Sequence, residues 1–224
     1  MIWLVVFTDG RDDLLKQTIA SADANLDGPI TRRSIVDDTG DLEHSAQLRA
    51  ELPGWGIEDH RQRLGFAGSI AQTWQLLESS SEDPEQFVFH LEDDFIFNRP
   101  VDLVAMIRLL NEYPPLAQLA LRRQPVNDAE KAAGGVVEMW PDQYADKYNG
   151  YLGCHWLEHR LFFTTNASLY RRSLCKLGWP EGRRSEEAFT RRCLDQGYSF
   201  GYWGSRDSGE AIHHTGTERA GCGY

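Results

Sequence analysis

The stretch FVFHLEDDFIFNRP, residues 87–100, limits what this chain can fold into more than any other. An apolar run, residues 87–91, meets three consecutive acids, Glu92, Asp93 and Asp94. A second apolar run and a proline follow. Such a run, rich in Phe and Val, reads as a buried strand. Acids at the end of a buried strand lie where open α/β sheets bind ligands, outside the carboxyl ends of the strands. Carboxylates this close repel one another unless a cation sits between them. The triplet therefore reads either as a divalent-metal site, with a phosphate ligand as the metal's other partner, or as a solvated acidic turn.

The remaining pattern supplies a sheet for that strand. Residues 2–7 read as a first strand, 12–24 as a helix, and 31–36 as a strand ending in Asp37 and Asp38. Residues 62–64 read as a short strand, 68–77 as a helix, 101–111 as a helix closed by Pro114 and Pro115, and 116–121 as a strand. Later come a strand over 162–169, a short helix over 172–177, a helix over 186–196 closed by Gly197, a strand over 198–203, and a segment 211–214 ending in His213 and His214. Alternating strand and helix predicts an α/β fold with a mostly parallel central sheet. Residues 127–159 carry no clear period and read as a long irregular lid or binding loop.

Composition excludes some functions. The chain has 224 residues and a formal net charge of −11, which argues against bulk nucleic-acid binding. No apolar run approaches the length that crosses a bilayer. The opening MIWLVVF runs straight into TDGRDD and reads as a strand rather than a signal peptide. Its cysteines, Cys154, Cys175, Cys193 and Cys222, form no CxxC pair. Reduced thiols and a cytoplasmic location are the expectation.

Several of these pieces, in this order, resemble the family 2 glycosyltransferases and their GT-A relatives. The pieces are VVFTDGRDDLLKQTIAS, SIVDDTGD, RLGFAGSIAQTW, LEDD with Pro100 behind it, FFTTNASLYRRSLCKLGWPEGRRSEEAFTRRCLDQGYSFGYWG, and AIHHTG. The resemblance implies one GT-A domain of Rossmann-like design over residues 1–224. Residues 1–100 would hold the nucleotide, and 101–224 the acceptor and catalytic groups.

It also implies roles. Thr8, Asp9 and Arg11 sit where the family's first loop touches the nucleotide, and Gly68 lies at the glycine-containing helix start. Asp37 or Asp38 matches the acid that holds the base. Asp94 matches the metal-coordinating acid, with Glu92 and Asp93 on ribose or metal-bound water. His214, with His213 as the competing choice, matches a late metal-ligating histidine; an oxygen and imidazole shell suits Mn2+ or Mg2+. His90, inside the strand, reads as a core histidine. Glu186 and Glu187 align with the acidic pair that supplies the catalytic base, Glu187 being the choice by position, while a helix first turn is also a natural place for acids.

The implied activity is metal-dependent transfer of one sugar from a nucleoside diphosphate sugar, UDP-linked by expectation, to an acceptor hydroxyl with inversion. A sugar-nucleotide nucleotidyltransferase and a catalytically silent nucleotide-sugar binder are the alternatives. The chain departs from the family in having Glu-Asp-Asp for the commoner Asp-x-Asp, Glu-Glu for Glu-Asp, and no QxxRW signature. Residues 124–160 match nothing in it, so the acceptor stays open, a modified DNA base included. Trp140 and Trp156 in that stretch are candidates to stack on an acceptor or to pack the lid.

Overall fold

The computed structural model describes residues 1–79 and 86–218. Strand β1 (Ile2–Thr8) shows why two helical layers form. Its residues alternate between two cores, Ile2, Leu4 and Val6 joining one and Trp3 and Val5 the other. A strand apolar on both faces needs cover on both sides. Helix α1 (Asp12–Asn25) covers the first face with Leu15, Ile19 and Ala22. The short β2 (Leu26–Asp27) leads to β3 (Ile30–Asp37), then α2 (Leu42–Glu51) and β4 (Gly56–Asp59). Helix α3 (Gly65–Ser79) covers the opposite face with Ile70, Trp74 and Leu77.

The central β5 (Phe87–Glu92) is buried along its whole length. After it come β6 (Phe95–Phe97), β7 (Val101–Asp102), α4 (Leu103–Glu112) and β8 (Leu116–Ala120). Two short helices, α5 (Asp128–Ala133) and α6 (Val136–Met139), precede a hairpin of β9 (Ala145–Asn149) and β10 (Cys154–His159). The chain ends through β11 (Ser168–Arg171), α7 (Ser185–Asp195), β12 (Ser199–Trp203) and β13 (Ile212–His214).

Nine strands form one sheet in the order β4-β3-β1-β5-β11-β8-β12-β10-β9. Only β11 and β10 run against the rest, so the sheet is mostly parallel, as expected. The β6–β13 pair forms a separate antiparallel ladder that ties the late chain to the segment just past the acids. Cys154, Cys175 and Cys193 are buried free thiols, and Cys222 lies outside the described residues. Among the described residues no helix is long and apolar enough to cross a membrane.

Three local expectations need correction, and one helix was not expected. The strand expected at residues 62–64 lies at Gly56–Asp59 instead, an edge strand with a single large apolar residue, Ile57. Helix α2 carried no signal because it buries only Ser45 and Leu48; the Asp41 carboxylate starts it by accepting from the Glu43 and His44 amides. The strand expected over 162–169 narrows to Ser168–Arg171. Upstream, side chains replace the ladder: Thr190 Oγ1 accepts from the Phe163 amide, and Gln118 bonds the Thr164 backbone on both sides. Residues 127–159 are largely ordered as helices and a hairpin, their own small core formed by Val137, Tyr144 and Leu157 with Ala120 and Tyr202.

The second core centres on Trp74, whose ring lies 4.8 to 6.3 Å, centroid to centroid, from Phe163, Tyr170, Trp179 and Phe189. Its indole N–H donates to the Tyr170 hydroxyl at 3.1 Å. Trp74→Ala is expected to cost about 3–5 kcal/mol in urea unfolding, the range for a buried large aromatic. A loss as small as that of the surface variant Val104→Ala would contradict this packing.

Candidate functional site

The carboxyl ends of β1, β3 and β5 lie side by side and bring Thr8, Asp37 and Glu92 to one edge of the sheet. Just past β5 the chain turns through Asp93 and Asp94, which are 0% and 2% exposed. Helix α1 braces that turn: Thr18 Oγ1 donates to the Asp93 carbonyl at 2.8 Å and accepts from the Phe95 amide at 3.2 Å. Thr8 Oγ1 donates to Asp93 Oδ2 at 2.6 Å. The Arg11 guanidinium spans both acids, bonding Asp93 Oδ1 and, at 2.6 Å, Asp94 Oδ2. Arg11 Nε also reaches Asp9 Oδ1 at 2.9 Å, and Arg63 holds the other Asp9 oxygen at 2.9 Å. Arg11, expected on the nucleotide, is thus bound to the acids.

The β6–β13 ladder carries His214 to the same place. His214 pairs with Phe95, stacks on its ring at 4.7 Å, and puts Nε2 3.2 Å from Asp94 Oδ2. Alternation along a strand turns the neighbouring His213 to the opposite face. Thr215 donates its amide (2.8 Å) and hydroxyl (3.0 Å) to the Asp94 carbonyl. Gly216 follows, and a Cβ there would fall 2.1 Å from Asp94 Oδ2, so only glycine fits against the acid.

Burial dominates the electrostatics. It pushes the Asp93 carboxyl up to about 7, against the pull of Thr8 and Arg11. Burial acts the same way on Asp94, but His214 and Arg11 outweigh it and hold that carboxyl below its ordinary value. For Arg11, burial disfavours the charge, yet Asp93 and Asp94 raise its pKa on balance. Asp94 Oδ1 is buried and has no hydrogen-bond partner among the described residues. An orphaned carboxylate oxygen beside an imidazole nitrogen suits a hard divalent cation as one or two protein ligands, leaving phosphate oxygens and water to complete the shell. The described residues hold no ready-made cluster of three or more His, Cys, Asp or Glu ligands.

The two acids after β3 separate clearly. Asp37 is 0% exposed and has every acceptor position filled. Oδ1 takes the Thr39 amide and hydroxyl, while Oδ2 takes Ser45 Oγ and His44 Nδ1. The expectation that Asp37 holds a base is therefore corrected: it ties β3 to α2. Asp38 receives both its bonds on Oδ1, from the Leu64 amide at 2.8 Å and beside His60 Nδ1 at 3.0 Å, which leaves Oδ2 for a ligand. Gly68 lies in the first turn of α3, where a Cβ would press to 3.0 Å from the Leu64 side chain.

Across the sheet, β11 runs antiparallel to β5, with Ser168 opposite His90, so the segment leading into β11 arrives at the acidic edge. There Glu186 Oε1 accepts from both the amide (2.8 Å) and hydroxyl (2.9 Å) of Thr165. Glu187 points outward along α7 to Arg191 and, at 3.7 Å, Arg184. Trp140 is 44% exposed, whereas Trp156 is 2% exposed and packed on Tyr113. Trp156 is therefore corrected from acceptor contact to core residue. His90 is a core histidine, stacked on Phe7 and pushed down to about 3 by burial.

The residues that the sequence did not single out are Thr18, His44, Ser45 and Thr165. All are ordinary polar residues whose partners lie at least seven positions away, so no local pattern marks them.

The Asp37 network makes stability depend on pH. Hydrogen bonds from Ser45, His44 and Thr39 overcome burial and lower the Asp37 pKa below its ordinary 3.8. Burial likewise opposes the His44 charge, but Asp12 and Asp37 raise its pKa above the ordinary 6.5. A raised histidine stabilises fully below 6.5 and loses that contribution as pH climbs through the folded value. The lowered aspartate stabilises above 3.8 and loses its contribution as pH falls through the folded value. Urea unfolding at pH 6 and pH 8.5 is expected to show His44→Gln flattening the alkaline decline. An unaltered slope would contradict the ion pair. Asp37→Ala should cost about 3 kcal/mol, as breaking a buried charged network does; full stability with lost nucleotide affinity would return Asp37 to the base-binding role.

No family model matches the chain, and no curated protein matches it by sequence. Solved structures do match. TarS residues 1–349 from S. aureus superposes with a TM-score of 0.62 at 15% identity, over 97% of this chain and 61% of TarS 1–349. The same TarS fragment in complex with UDP gives 0.59 at 15% identity, over 95% and 59%. GalNAc-T7 with UDP, GalNAc and Mn2+ gives 0.63 at 8% identity, over 96% and 43%. The chain thus spans less than two thirds of the length of each. At these identities the likeness is one of fold, and the fold is that of the GT-A glycosyltransferases.

Proposed function

We propose that this chain is a GT-A glycosyltransferase that uses Mn2+ or Mg2+ to move one sugar from a nucleoside diphosphate sugar, with UDP the favoured nucleotide, to an acceptor hydroxyl. The observation that carries the reading is the buried Asp93–Asp94 turn, with Asp94 Oδ1 unfilled and His214 Nε2 beside Asp94, at the sheet edge where Asp38 is also presented. TarS with UDP and GalNAc-T7 with UDP and Mn2+ share that fold and support the donor and metal.

In this reading residues 1–100 hold the nucleotide. Asp38 Oδ2 accepts the base imide, while Thr8, Asp9, Arg11 and Gly68 border the nucleotide and Glu92 and Asp93 its ribose. Asp94 and His214 hold the metal, which supplies charge neutralisation to the departing diphosphate. Residues 101–224 hold the acceptor, with the exposed Trp140 a candidate contact.

The base is Glu186, not Glu187. Thr165 fixes Glu186 on the cleft side of α7 through one oxygen, leaving the other to take a proton. Glu187 is exposed and paired with arginines on the outer face. As the acceptor oxygen bonds the anomeric carbon, Glu186 takes its proton and the diphosphate leaves with the electron pair of the broken bond, giving inversion.

Glu186→Gln is expected to bind UDP normally while transfer falls by roughly two to four orders of magnitude, and Glu187→Gln to keep most activity. The opposite ranking would restore Glu187 as base. Asp94→Asn should abolish the Mn2+-dependent part of UDP affinity measured by calorimetry; equal affinity with Mn2+ and with chelator in the unmodified protein would contradict the metal role.

A further inference from the structure

The acids that the proposed metal needs are already compensated by a cation from the chain itself. Arg11 joins Asp93 Oδ1 and Asp94 Oδ2 at once, a two-pronged contact suited to a guanidinium. Its side chain is 20% exposed, against 0% and 3% for the two carboxylates, so it lies on their solvent side. Two buried carboxylates one residue apart are tolerable only with such a partner. A cation held by Asp94 and His214 would lie beside that guanidinium, and like charges at such range in a buried site repel strongly.

We propose that Arg11 is the resident counter-cation of this site and competes with the divalent metal for Asp94, so that the metal binds with the nucleotide rather than before it. The proposal rests on the metal-site reading above.

The surroundings of Arg11 suit such a change of partner. It caps α1 with non-helical backbone angles (φ −89°, ψ 65°) and makes no side-chain capping bond. Gly10 before it has φ +99°, in the region that favours glycine. Asp9 already holds Arg11 Nε and can keep that hold while the other two nitrogens leave the acids. A diphosphate brings oxygens that match the fork as well as carboxylates do. The nucleotide thereby draws Arg11 off Asp94 and opens the acid to the metal. Each ligand raises the affinity of the other by the same factor, as linkage requires.

The test is Mn2+ binding followed by electron paramagnetic resonance of the free ion, with and without UDP, in the full chain and its variants. Wild type is expected to bind Mn2+ weakly alone and more tightly with UDP. Arg11→Gln should bind Mn2+ alone on the order of tenfold more tightly than wild type, with a smaller gain from UDP. Arg11→Lys, which keeps the charge without the fork, should fall between them and serves if Arg11→Gln folds poorly. Arg63→Gln removes the same charge from the far side of Asp9 without touching Asp93 or Asp94, and should behave as wild type.

If Arg11→Gln and Arg11→Lys bind no more tightly than wild type, or if Arg63→Gln matches Arg11→Gln, the proposal falls while the metal reading stands. If UDP binds but Mn2+ binds to none of the variants with UDP present, the metal reading falls and the proposal with it.

Discussion

The compensation of two buried carboxylates, Asp93 and Asp94, is the constraint on which the rest of the site depends. Burial alone would drive both toward the neutral form. Against it, Thr8 at the end of β1 donates to the Asp93 carboxylate, Arg11 before α1 bonds both carboxylates and His214 on β13 meets that of Asp94, while Thr18 of α1 and Thr215 after β13 hold the backbone carbonyls of the turn. The packing of α1 against β6, and the otherwise isolated β6–β13 ladder, make structural sense as the scaffold that holds these groups in place. Gly216 completes it by leaving room for the acid.

The charge balance sharpens the point. A chain with net charge −11 is poorly suited, as a whole, to hold a diphosphate. Affinity for such a ligand has to come from cations concentrated at the cleft. Arg11 is held there by Asp9, Asp93 and Asp94, and α3 begins beside Asp38. A divalent ion would add to that local positive charge without altering the acidic exterior. Asp37, by contrast, looks like a ligand residue in the sequence but spends its charge on His44, Ser45 and Thr39, anchoring α2 to the sheet.

The parts of this arrangement that were legible in the sequence share one trait: the signal lies within a few residues. The apolar β5 followed by acids, the apolar run of β1, and the histidine that closes β13 are local patterns, and the structure places the ends of all three at one edge. Helix α2 was not legible because its buried face is only Ser45 and Leu48. The extent of β11 was overestimated because Phe162 and Phe163 look like strand residues, but Phe163 packs on Phe189 of α7 and Phe162 on His159, while Gln118 and Thr190 take the backbone bonds. Which of two adjacent acids faces the cleft also lies beyond local pattern. Asp37 bonds residues of α2, Asp38 the Leu64 amide and Glu186 the distant Thr165, whereas Glu187 pairs with Arg191 on its own helix. The link from Arg11 to the acids spans more than eighty positions and could not be read from spacing at all.

The most direct test of the account is a crystal structure of the chain grown with UDP and Mn2+, with anomalous scattering recorded at the manganese edge. The account predicts a manganese peak within coordinating distance of Asp94 Oδ1 and His214 Nε2, the uracil against Asp38, and Arg11 turned from Asp94 to the diphosphate. UDP bound at this edge with Arg11 still on both acids and manganese absent from Asp94 would contradict it.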